Sequence, residues 1–181
     1  NVVIKKYGDP ENLIYEESES QILDDNSVRI KVESAGVNFA DLLIIKGRYQ
    51  ERPRPPFSPG LEISGIILEI GQKVSSLKVG DRVMSIMKYG GYKTEVIVPE
   101  DNTYLIPKKM DIIEAGGFPV IYGTAFSAII TKAKLIKNET CIILGATGGV
   151  GMAAIEIAKA YGALVVACGG NDEKLKVCVE K

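Results

Sequence analysis

The chain has 181 residues, of which 46% are hydrophobic and 25% charged, a composition typical of a globular protein that can bury a sizeable core. The formal net charge of −1 argues against nucleic acid or an anionic membrane as a partner, and no apolar run approaches the length of a bilayer span. The chain contains no histidine, which excludes a Ser-His-Asp or Cys-His nucleophile system and any histidine metal ligand within it.

The first half of the chain is predicted to consist of strands and turns. Residues 27–37 alternate between apolar and polar side chains, the pattern of a half-buried strand. Asn38 follows as a candidate N-cap for a short helix over residues 39–45, and Gly47 is a natural end for that helix. Short strands at regular spacing favour a small β-barrel, and they are predicted over residues 62–70, 81–86 and 92–98.

The pattern changes near residue 110, where helices and apolar strands begin to alternate. The unbroken apolar strand over residues 141–144 is typical of a parallel sheet with both faces covered. Asp172 is expected to cap the last helix. The order of elements predicts the start of a doubly wound Rossmann sheet, with helices over residues 111–115, 122–134 and 150–161 and a second strand over residues 163–167.

A glycine-rich turn joins the first of these strands to its helix, with the sequence Gly145-Ala146-Thr147-Gly148-Gly149-Val150-Gly151. Counted from Ala146 it reads A-x-G-x-x-G, the dinucleotide fingerprint with alanine in the first place. Gly148 lets the backbone approach a pyrophosphate, Gly151 lets the helix pack closely on the strand, and the amides of the helix N-terminus face the anion. The alternative is a turn without a ligand, but the strand and helix on either side favour a cofactor.

The end of the second strand selects between the two nicotinamide cofactors. An NAD site usually has an acidic residue there, which accepts a hydrogen bond from the ribose 2′-hydroxyl, whereas this chain has Gly169 followed by Gly170. This leaves room for a 2′-phosphate and removes a repelling charge, so we predict NADPH. Asn171 and Lys174 are candidates to contact that phosphate, and a shift of register would instead make Asp172 a ribose ligand.

The three cysteines are odd in number and lack a C-x-x-C spacing, which argues against a disulfide framework and a structural zinc site. This use of cysteine fits a reducing cytoplasm best. Cys141 and Cys168 are predicted to be small apolar strand residues.

Five motifs, in the same order and at similar spacing, resemble those of the zinc-independent medium-chain dehydrogenases/reductases, in the quinone oxidoreductase or zeta-crystallin-like branch. The resemblance covers nearly the whole chain. It implies a GroES-like β-barrel catalytic domain in residues 1–120 and the first, incomplete part of a Rossmann NADP-binding domain in residues 121–181. The motifs are Ala35-Gly36-Val37-Asn38-Phe39-Ala40-Asp41, Gly47-Arg48-Tyr49, Ser58-Pro59-Gly60-Leu61-Glu62, Val79-Gly80-Asp81-Arg82-Val83 and the turn from Gly145.

The resemblance also implies a site without a metal. Zinc-dependent alcohol dehydrogenases of the same superfamily carry a catalytic zinc cysteine where this chain has Asn38 and a histidine ligand where it has Leu61. Their structural-zinc lobe with four cysteines has no counterpart in residues 84–94. Zinc polarises a carbonyl in those enzymes, whereas a quinone accepts hydride without a Lewis acid. Glu62 remains from the zinc motif, either with a function or as a polar residue beside the cleft.

The resemblance implies a functional role for several individual residues, and each of them also has an alternative, structural role. Asn38 would lie near the nicotinamide ribose or carboxamide, besides capping its helix. Tyr49 matches a cleft tyrosine that is the proposed proton donor in related enoyl-thioester reductases, and the alternative is an aromatic residue that holds the proline-rich loop over residues 52–60. Thr124 matches a position near the nicotinamide or is a first-turn helix residue. Leu43 replaces the second cleft tyrosine of the family and so departs from the quinone oxidoreductase pattern.

Family members continue through the rest of the Rossmann sheet and then complete the catalytic domain, and that later part usually carries the dimer interface. A parallel pair of two strands with one full helix is poorly covered. We therefore expect these 181 residues to be part of a longer protein and to bind NADPH weakly alone. The full-length protein is expected to be a homodimer, with the interface outside this chain.

Three functions remain open on the sequence. The first is an NADPH-dependent oxidoreductase that transfers hydride to a quinone or a similar electron-poor acceptor such as an enone. The second is a 2-enoyl-thioester reductase in which Tyr49 protonates the α-carbon. The third is a non-catalytic NADPH-binding protein of the zeta-crystallin type. In the enzymatic cases the cofactor supplies the chemistry, and the protein positions and desolvates it.

Overall fold

The computed structural model describes residues 1–19 and 21–180. The chain divides into two compact units, Asn1–Val120 and Ile121–Lys181. Each unit has its own buried hydrophobic cores, so the two are described separately below.

The first unit is built on a five-stranded antiparallel sheet that curls into a half-barrel. Its strands are β3 (Ser27–Ala35), β4 (Glu62–Ile70), β5 (Arg82–Ile86), β6 (Glu95–Pro99) and β7 (Thr103–Leu105), in the spatial order β6-β3-β4-β5-β7. A separate two-stranded sheet pairs β1 (Val2–Ile4) with β2 (Leu13–Tyr15). The predicted barrel-like sheet of short strands is confirmed.

Alternating side chains of the half-barrel form its core, as the period of two in the sequence predicts. On β3 the apolar Val28 and Ile30 are buried, whereas Lys31, the next residue along the strand, is exposed. A second core lies under the helix α1 (Phe39–Ile45) and contains Ile44 and Ile45. The first core consists of Val28, Ile30, Ile63, Ile67, Leu77, Val83, Val96 and Val98.

Helix α1 has the bounds predicted from the sequence. Asn38 is its N-cap and has extended backbone, and Gly47 follows the helix with φ +65°, a conformation that favours glycine. The short helix α2 (Ile112–Ala115) begins after Asp111, whose side chain accepts hydrogen bonds from the backbone of Ile113 and Glu114. Both starts follow from short polar side chains placed before apolar runs.

The second unit has a parallel pair of strands, β8 (Thr140–Leu144) and β9 (Leu164–Cys168), joined through the helix α4 (Gly149–Ala160). The chain enters this unit through the helix α3 (Pro119–Phe126), which crosses the division between units, and a π-helical stretch, Ser127–Lys132. The helix α5 (Asp172–Glu180) follows β9. This strand–helix–strand–helix order confirms the predicted start of a Rossmann sheet.

Helices α4 and α5 cover one face of this parallel pair, where Ile143 is buried. On the other face, in the described part of the chain, Ile142 and Leu144 are 64% and 80% exposed, and Leu164 and Val166 are exposed beside them. The apolar strand predicted with both faces covered is therefore covered here on one face. Two strands expose an apolar face unless further elements pack on it.

Several predicted bounds differ from the structure. The strand predicted over residues 27–37 ends at Ala35, and the one predicted over 92–98 begins at Glu95. The helix predicted over 122–134 begins at Pro119, because proline fits a first helical turn. The prediction that Asp172 caps α5 is wrong, since Asp172 is the first residue of the helix.

No helix in residues 1–19 and 21–180 combines the length and the apolar character needed to cross a membrane.

Candidate cofactor and substrate site

In the second unit, the glycine-rich turn lies between the end of β8 and the first turn of α4. Gly145 has φ +66°, and its carbonyl accepts a hydrogen bond from Gly148 N–H at 3.0 Å, which closes the turn. Ala146 N–H donates to the carbonyl of Cys168 at 3.0 Å, so the turn is also attached to the end of β9. Helix α4 begins directly after Gly148, with Gly149 and Val150 exposed in its first turn.

The first turn of a helix leaves backbone N–H groups without intrahelical partners, and these groups attract anions. Gly148 leaves these N–H groups accessible to an anion. Even a Cβ placed on Gly148 would come no closer to protein than 3.5 Å, at the Gly145 carbonyl. Gly151 is packed differently, because a Cβ there would lie 2.5 Å from the Gly145 carbonyl and 2.7 Å from Ala146 Cα. Gly148 therefore keeps a surface open, and Gly151 lets α4 approach the turn.

The end of β9 lies beside this turn. A Cβ placed on Gly169 would be 3.3 Å from the Thr147 methyl group and 3.2 Å from Leu175, so the two candidate phosphate-contacting segments adjoin. Gly170 is exposed, and a Cβ there would meet no atom within 4 Å. The structure thus brings Thr147 and Gly169 together, and their contact with a dinucleotide stays a prediction.

Asn171 has a structural role that the sequence prediction did not give it. Its Oδ1 accepts a hydrogen bond from Lys174 N–H at 3.0 Å, which makes Asn171 the cap of α5. The capping position predicted for Asp172 therefore belongs to Asn171. The Lys174 side chain is exposed at the start of α5.

Helix α3 packs on the first turns of α4. A Cβ placed on Gly149 would be 3.2 Å from Ile121 Cγ2, and the Tyr122 hydroxyl donates to Glu156 of α4. Burial and this carboxylate raise the pKa of Tyr122 to about 12, so the phenol stays protonated at neutral pH. Thr124 lies in the same helix and is exposed.

In the first unit, Asn38 is hydrogen-bonded to a buried carboxylate. Its Nδ2 donates to Glu62 Oε1 at 2.7 Å, and the backbone N–H of Val120 donates to the other oxygen, Oε2, at 2.8 Å. Glu62 is the first residue of β4 and is 1% exposed. The side chain of Asn38 faces the Asp41 N–H in a capping-box arrangement without completing a hydrogen bond to it.

A second buried carboxylate lies next to the first. Asp41 is 1% exposed and accepts hydrogen bonds from the backbone N–H groups of Asn38, at 2.9 Å, and Gly60, at 3.1 Å. The single hydroxyl hydrogen of Tyr92 is shared between two acceptors, the Asp41 carboxylate and the Gly36 carbonyl, the latter at 3.3 Å. Asp41 thereby holds the loop before β4 against the start of α1.

Burial dominates the electrostatics of this cluster. It raises the pKa of both Asp41 and Glu62 above their usual values, while the N–H donors partly oppose the shift, and the charge of Asp41 raises the pKa of Glu62 further. Burial, followed by the charges of Asp41 and Glu62, also raises the pKa of Tyr92. Tyr92 is therefore a permanent hydrogen-bond donor at neutral pH.

Tyr49 follows α1 and packs, half-buried, against the core that contains Ile44, Phe57 and Leu61. Its backbone carbonyl accepts a hydrogen bond from Arg52 Nε at 3.2 Å. The packing of its side chain on the core suits the alternative structural role, and the role of Tyr49 as proton donor stays a prediction. Leu43, which replaces the family's second tyrosine, is half-buried in α1.

Sequence reasoning named Asn38 and Glu62 but gave no site role to Asp41, Tyr92 and Val120, which complete the cluster around them. Asp41 had a local signal, because an acidic residue three positions after an N-cap indicates a capping box. Tyr92 and Val120 had none, since they reach the cluster only through the tertiary fold. In the described ranges, no three His, Cys, Asp or Glu side chains are grouped as metal ligands would be.

Comparisons with known proteins bear on the family and the fold of the chain. Residues 24–108 match the family model of the alcohol dehydrogenase GroES-like domain. The chain is 39% identical over 169 residues to quinone oxidoreductase-like protein 2 of Bos taurus, which covers 93% of this chain and 48% of that protein. The chain therefore spans about half the length of the curated relatives it matches.

Two solved structures share the fold of the chain. The quinone oxidoreductase of Thermus thermophilus, also solved in complex with NADPH, has a TM-score of 0.87 and 31% identity over 99% of this chain and 56% of that chain. The CurK enoyl reductase has a TM-score of 0.89 and 28% identity over 98% of this chain and 57% of that chain.

Proposed function

The chain belongs to the medium-chain dehydrogenase/reductase family, in its quinone oxidoreductase branch, and from this premise we propose that the whole protein is an NADPH-dependent oxidoreductase. It transfers hydride to a quinone or a similar electron-poor acceptor without a metal. The observation that carries the proposal is the turn from Gly145 to Gly151, whose close packing on α4 leaves first-turn amides accessible beside Gly169.

The residues present fit the cofactor. Under this proposal the pyrophosphate lies on the backbone of Ala146, Thr147, Gly148, Gly149, Val150 and Gly151, where Gly148 leaves space and the helix N-terminus favours negative charge. The 2′-phosphate lies beside Gly169 and Gly170, within reach of Lys174 and Asn171. A carboxylate at position 169 would repel that phosphate, and this chain has none there. The relative from Thermus thermophilus was solved with NADPH.

When bound, the nicotinamide supplies the hydride. The chain's own residues bind and orient it: Thr124 and Asn38 are proposed to contact the nicotinamide end. Because Asn38 is held by Glu62, it presents one fixed arrangement of amide donors and acceptor. Tyr49 is proposed to hold the proton that follows hydride onto an enone, because a phenol hydroxyl can donate a proton.

The first experiment measures NADPH oxidation by the full-length protein with 1,2-naphthoquinone and with crotonyl-thioester. Turnover with the quinone supports the proposal. Turnover with the thioester alone supports the enoyl reductase. Binding of NADPH without turnover of any acceptor supports a non-catalytic NADPH-binding protein and overturns the proposed activity.

The likeness to the CurK enoyl reductase and the presence of Tyr49 favour a 2-enoyl-thioester reductase as the second candidate. Tyr49→Phe separates the two functions, because it removes only the hydroxyl. Quinone reduction should then persist within about twofold, whereas enoyl reduction, which needs a proton donor, should fall by about a hundredfold. Tyr15→Phe, at an 83% exposed tyrosine, is the matched control.

The choice of NADPH over NADH has its own test. Gly169→Asp places a carboxylate where the 2′-phosphate would lie, and we expect it to shift preference toward NADH by at least about tenfold. Gly169→Ala adds the same Cβ against Leu175 and Thr147 without the charge. It therefore separates repulsion between carboxylate and phosphate from the steric effect of the added Cβ. An equal loss of NADPH affinity in both variants would contradict the electrostatic argument.

We propose further that residues 1–120 are the catalytic domain and residues 121–181 the first part of the NADP-binding domain. We also propose that the full-length protein is a homodimer, with its interface outside this chain. Light scattering of the full-length protein tests the second statement. Elemental analysis of the purified protein tests the metal-free site, and a stoichiometric zinc ion would overturn it.

A further inference from the structure

Glu62 occupies an unusual position for an ionisable side chain. It is 1% exposed, and among the described residues no lysine or arginine forms an ion pair with it. A buried carboxylate is costly unless hydrogen bonds compensate it. The two that Glu62 accepts come from Asn38 Nδ2 and Val120 N–H, one on each carboxylate oxygen.

The chain around Glu62 is shaped to admit this carboxylate. A Cβ placed on Gly36 would lie 2.2 Å from Glu62 Oε1 and 2.7 Å from its carboxyl carbon. The backbone before α1 thus passes directly over the carboxylate, and a side chain at Gly36 would displace it. Close packing of this kind fixes the rotamer of Glu62 and so the direction of both oxygens.

The two donors belong to elements that carry proposed site residues. Asn38 is itself a proposed contact of the nicotinamide. Val120 is the second residue of α3, one of the first-turn N–H groups that a helix leaves unpaired, and Thr124 follows one turn later on the same helix. Glu62 is therefore a cap for α3 supplied from another element, and the charge of a carboxylate at a helix N-terminus is favourable.

We propose that Glu62 is a positioning residue of the cofactor site, and this inference rests on the proposed function. Its carboxylate holds Nδ2 of Asn38, so that the amide cannot flip and presents Oδ1 and the second N–H in one orientation. The same carboxylate fixes the start of the helix that carries Thr124. Two acceptor oxygens are needed to accept hydrogen bonds from both Asn38 Nδ2 and Val120 N–H. A glutamine has only one such oxygen, and its NH₂ group would face one of the two donors.

The first test is Glu62→Gln in the full-length protein, with Glu69→Gln on the same strand as the matched control, since Glu69 is exposed. We expect kcat to fall by about ten- to a hundredfold, because a misoriented amide misplaces the nicotinamide. The Kd for NADPH should change by less than about threefold, because the phosphate-binding turn is untouched. Glu69→Gln should leave both unchanged.

The second test distinguishes positioning through Asn38 from support of the fold, and it introduces Glu62→Gln into Asn38→Ala. Asn38→Ala removes the amide that Glu62 holds. If Glu62 acts mainly through this amide, Glu62→Gln should lower kcat much less in the Asn38→Ala background than in the wild type. A loss of kcat as large in the Asn38→Ala background as in the wild type would show a role independent of Asn38 and overturn the inference.

The remaining outcomes separate the two proposals. If the wild type neither binds NADPH nor reduces any acceptor, the proposed function fails and the positioning role fails with it. If the wild type turns over and Glu62→Gln matches Glu69→Gln in kcat, only the inference fails. If Glu62→Gln does not fold, Asn38→Ala decides: a wild-type kcat in that variant would overturn the inference, because the site would then need no oriented amide at this position.

Discussion

Replacing Gly151 with alanine should destabilise the second unit and weaken NADPH binding together. The added Cβ would lie 2.5 Å from the Gly145 carbonyl and 2.8 Å from the carbonyl carbon of Ala146. Ordinary contact begins at 3.4 Å, so the first of these distances is about 0.9 Å too short. All the obstructing atoms are backbone, and no side chain can rotate away. Helix α4 or the turn must therefore move.

The magnitude follows from two opposing effects. Overpacking of this kind typically costs about 1–3 kcal/mol, and alanine gains up to about 1 kcal/mol over glycine in a helix. Because the obstructing atoms are all backbone, the cost lies near the upper end of that range, and the free energy of unfolding should fall by about 2 kcal/mol. Because the shift separates the turn from the first-turn amides of α4, NADPH affinity should fall by about tenfold as well.

Gly148→Ala is the matched comparison, since the same atom is added three residues earlier. Its Cβ would meet only the Gly145 carbonyl at 3.5 Å, and Gly148 has φ −85°, which alanine adopts freely. Its stability should stay within about 0.5 kcal/mol of the wild type, while NADPH binding weakens because the Cβ enters the space of the pyrophosphate. Equilibrium urea unfolding and NADPH fluorescence titration measure the two quantities. The reasoning is refuted if Gly151→Ala unfolds at the wild-type midpoint, or if Gly148→Ala is the less stable variant.

Three further outcomes are expected. Ile63→Ala empties a fully buried position in the half-barrel core and should lower the free energy of unfolding by about 2–5 kcal/mol in urea titrations. Because folding raises the pKa of Asp41 and Glu62, the folded state keeps their protons to higher pH than the unfolded state, and their contribution to stability falls as the pH rises above about 4. Asp41→Asn should make that fall less steep above about pH 4, and an unchanged slope would contradict the assignment. Lys174→Ala should raise the KM for NADPH by about fivefold and leave the KM for NADH unchanged, whereas Lys159→Ala, on the exposed end of α4, should change neither.

The sequence predicts the second unit well because its signals are local. The apolar strand, the glycine-rich turn and the helix after it each follow from neighbouring residues, and the structure gives β8, Gly148 and α4 at those positions. The wrong prediction that Asp172 caps α5 also arises from neighbouring residues. Asn171 and Asp172 are both good caps, and the sequence does not show which of the two the first helical turn includes.

In the first unit, local sequence patterns predict the buried faces of the strands but not the contacts of Glu62. Periodicity predicts that Ile63 and Ile67 face a core, but Glu62, at the start of the same strand, reads only as a polar residue near a cleft. Its two donors lie 24 and 58 residues away in sequence. No spacing rule connects such positions, because the register between distant elements is set by the packing of the whole sheet.

The sequence by itself therefore determined most of the elements, the glycine-rich turn and the family of this protein, since periodicity, caps and glycine positions act over a few residues. Only the tertiary structure decided that the amide of Asn38 is held by Glu62, that Gly151 is a packing glycine and Gly148 an open one, and that Asn171 caps its helix. These features depend on differences of a few tenths of an ångström in the distances between segments that fold together. In a buried, closely packed environment such differences change the free energy of the fold.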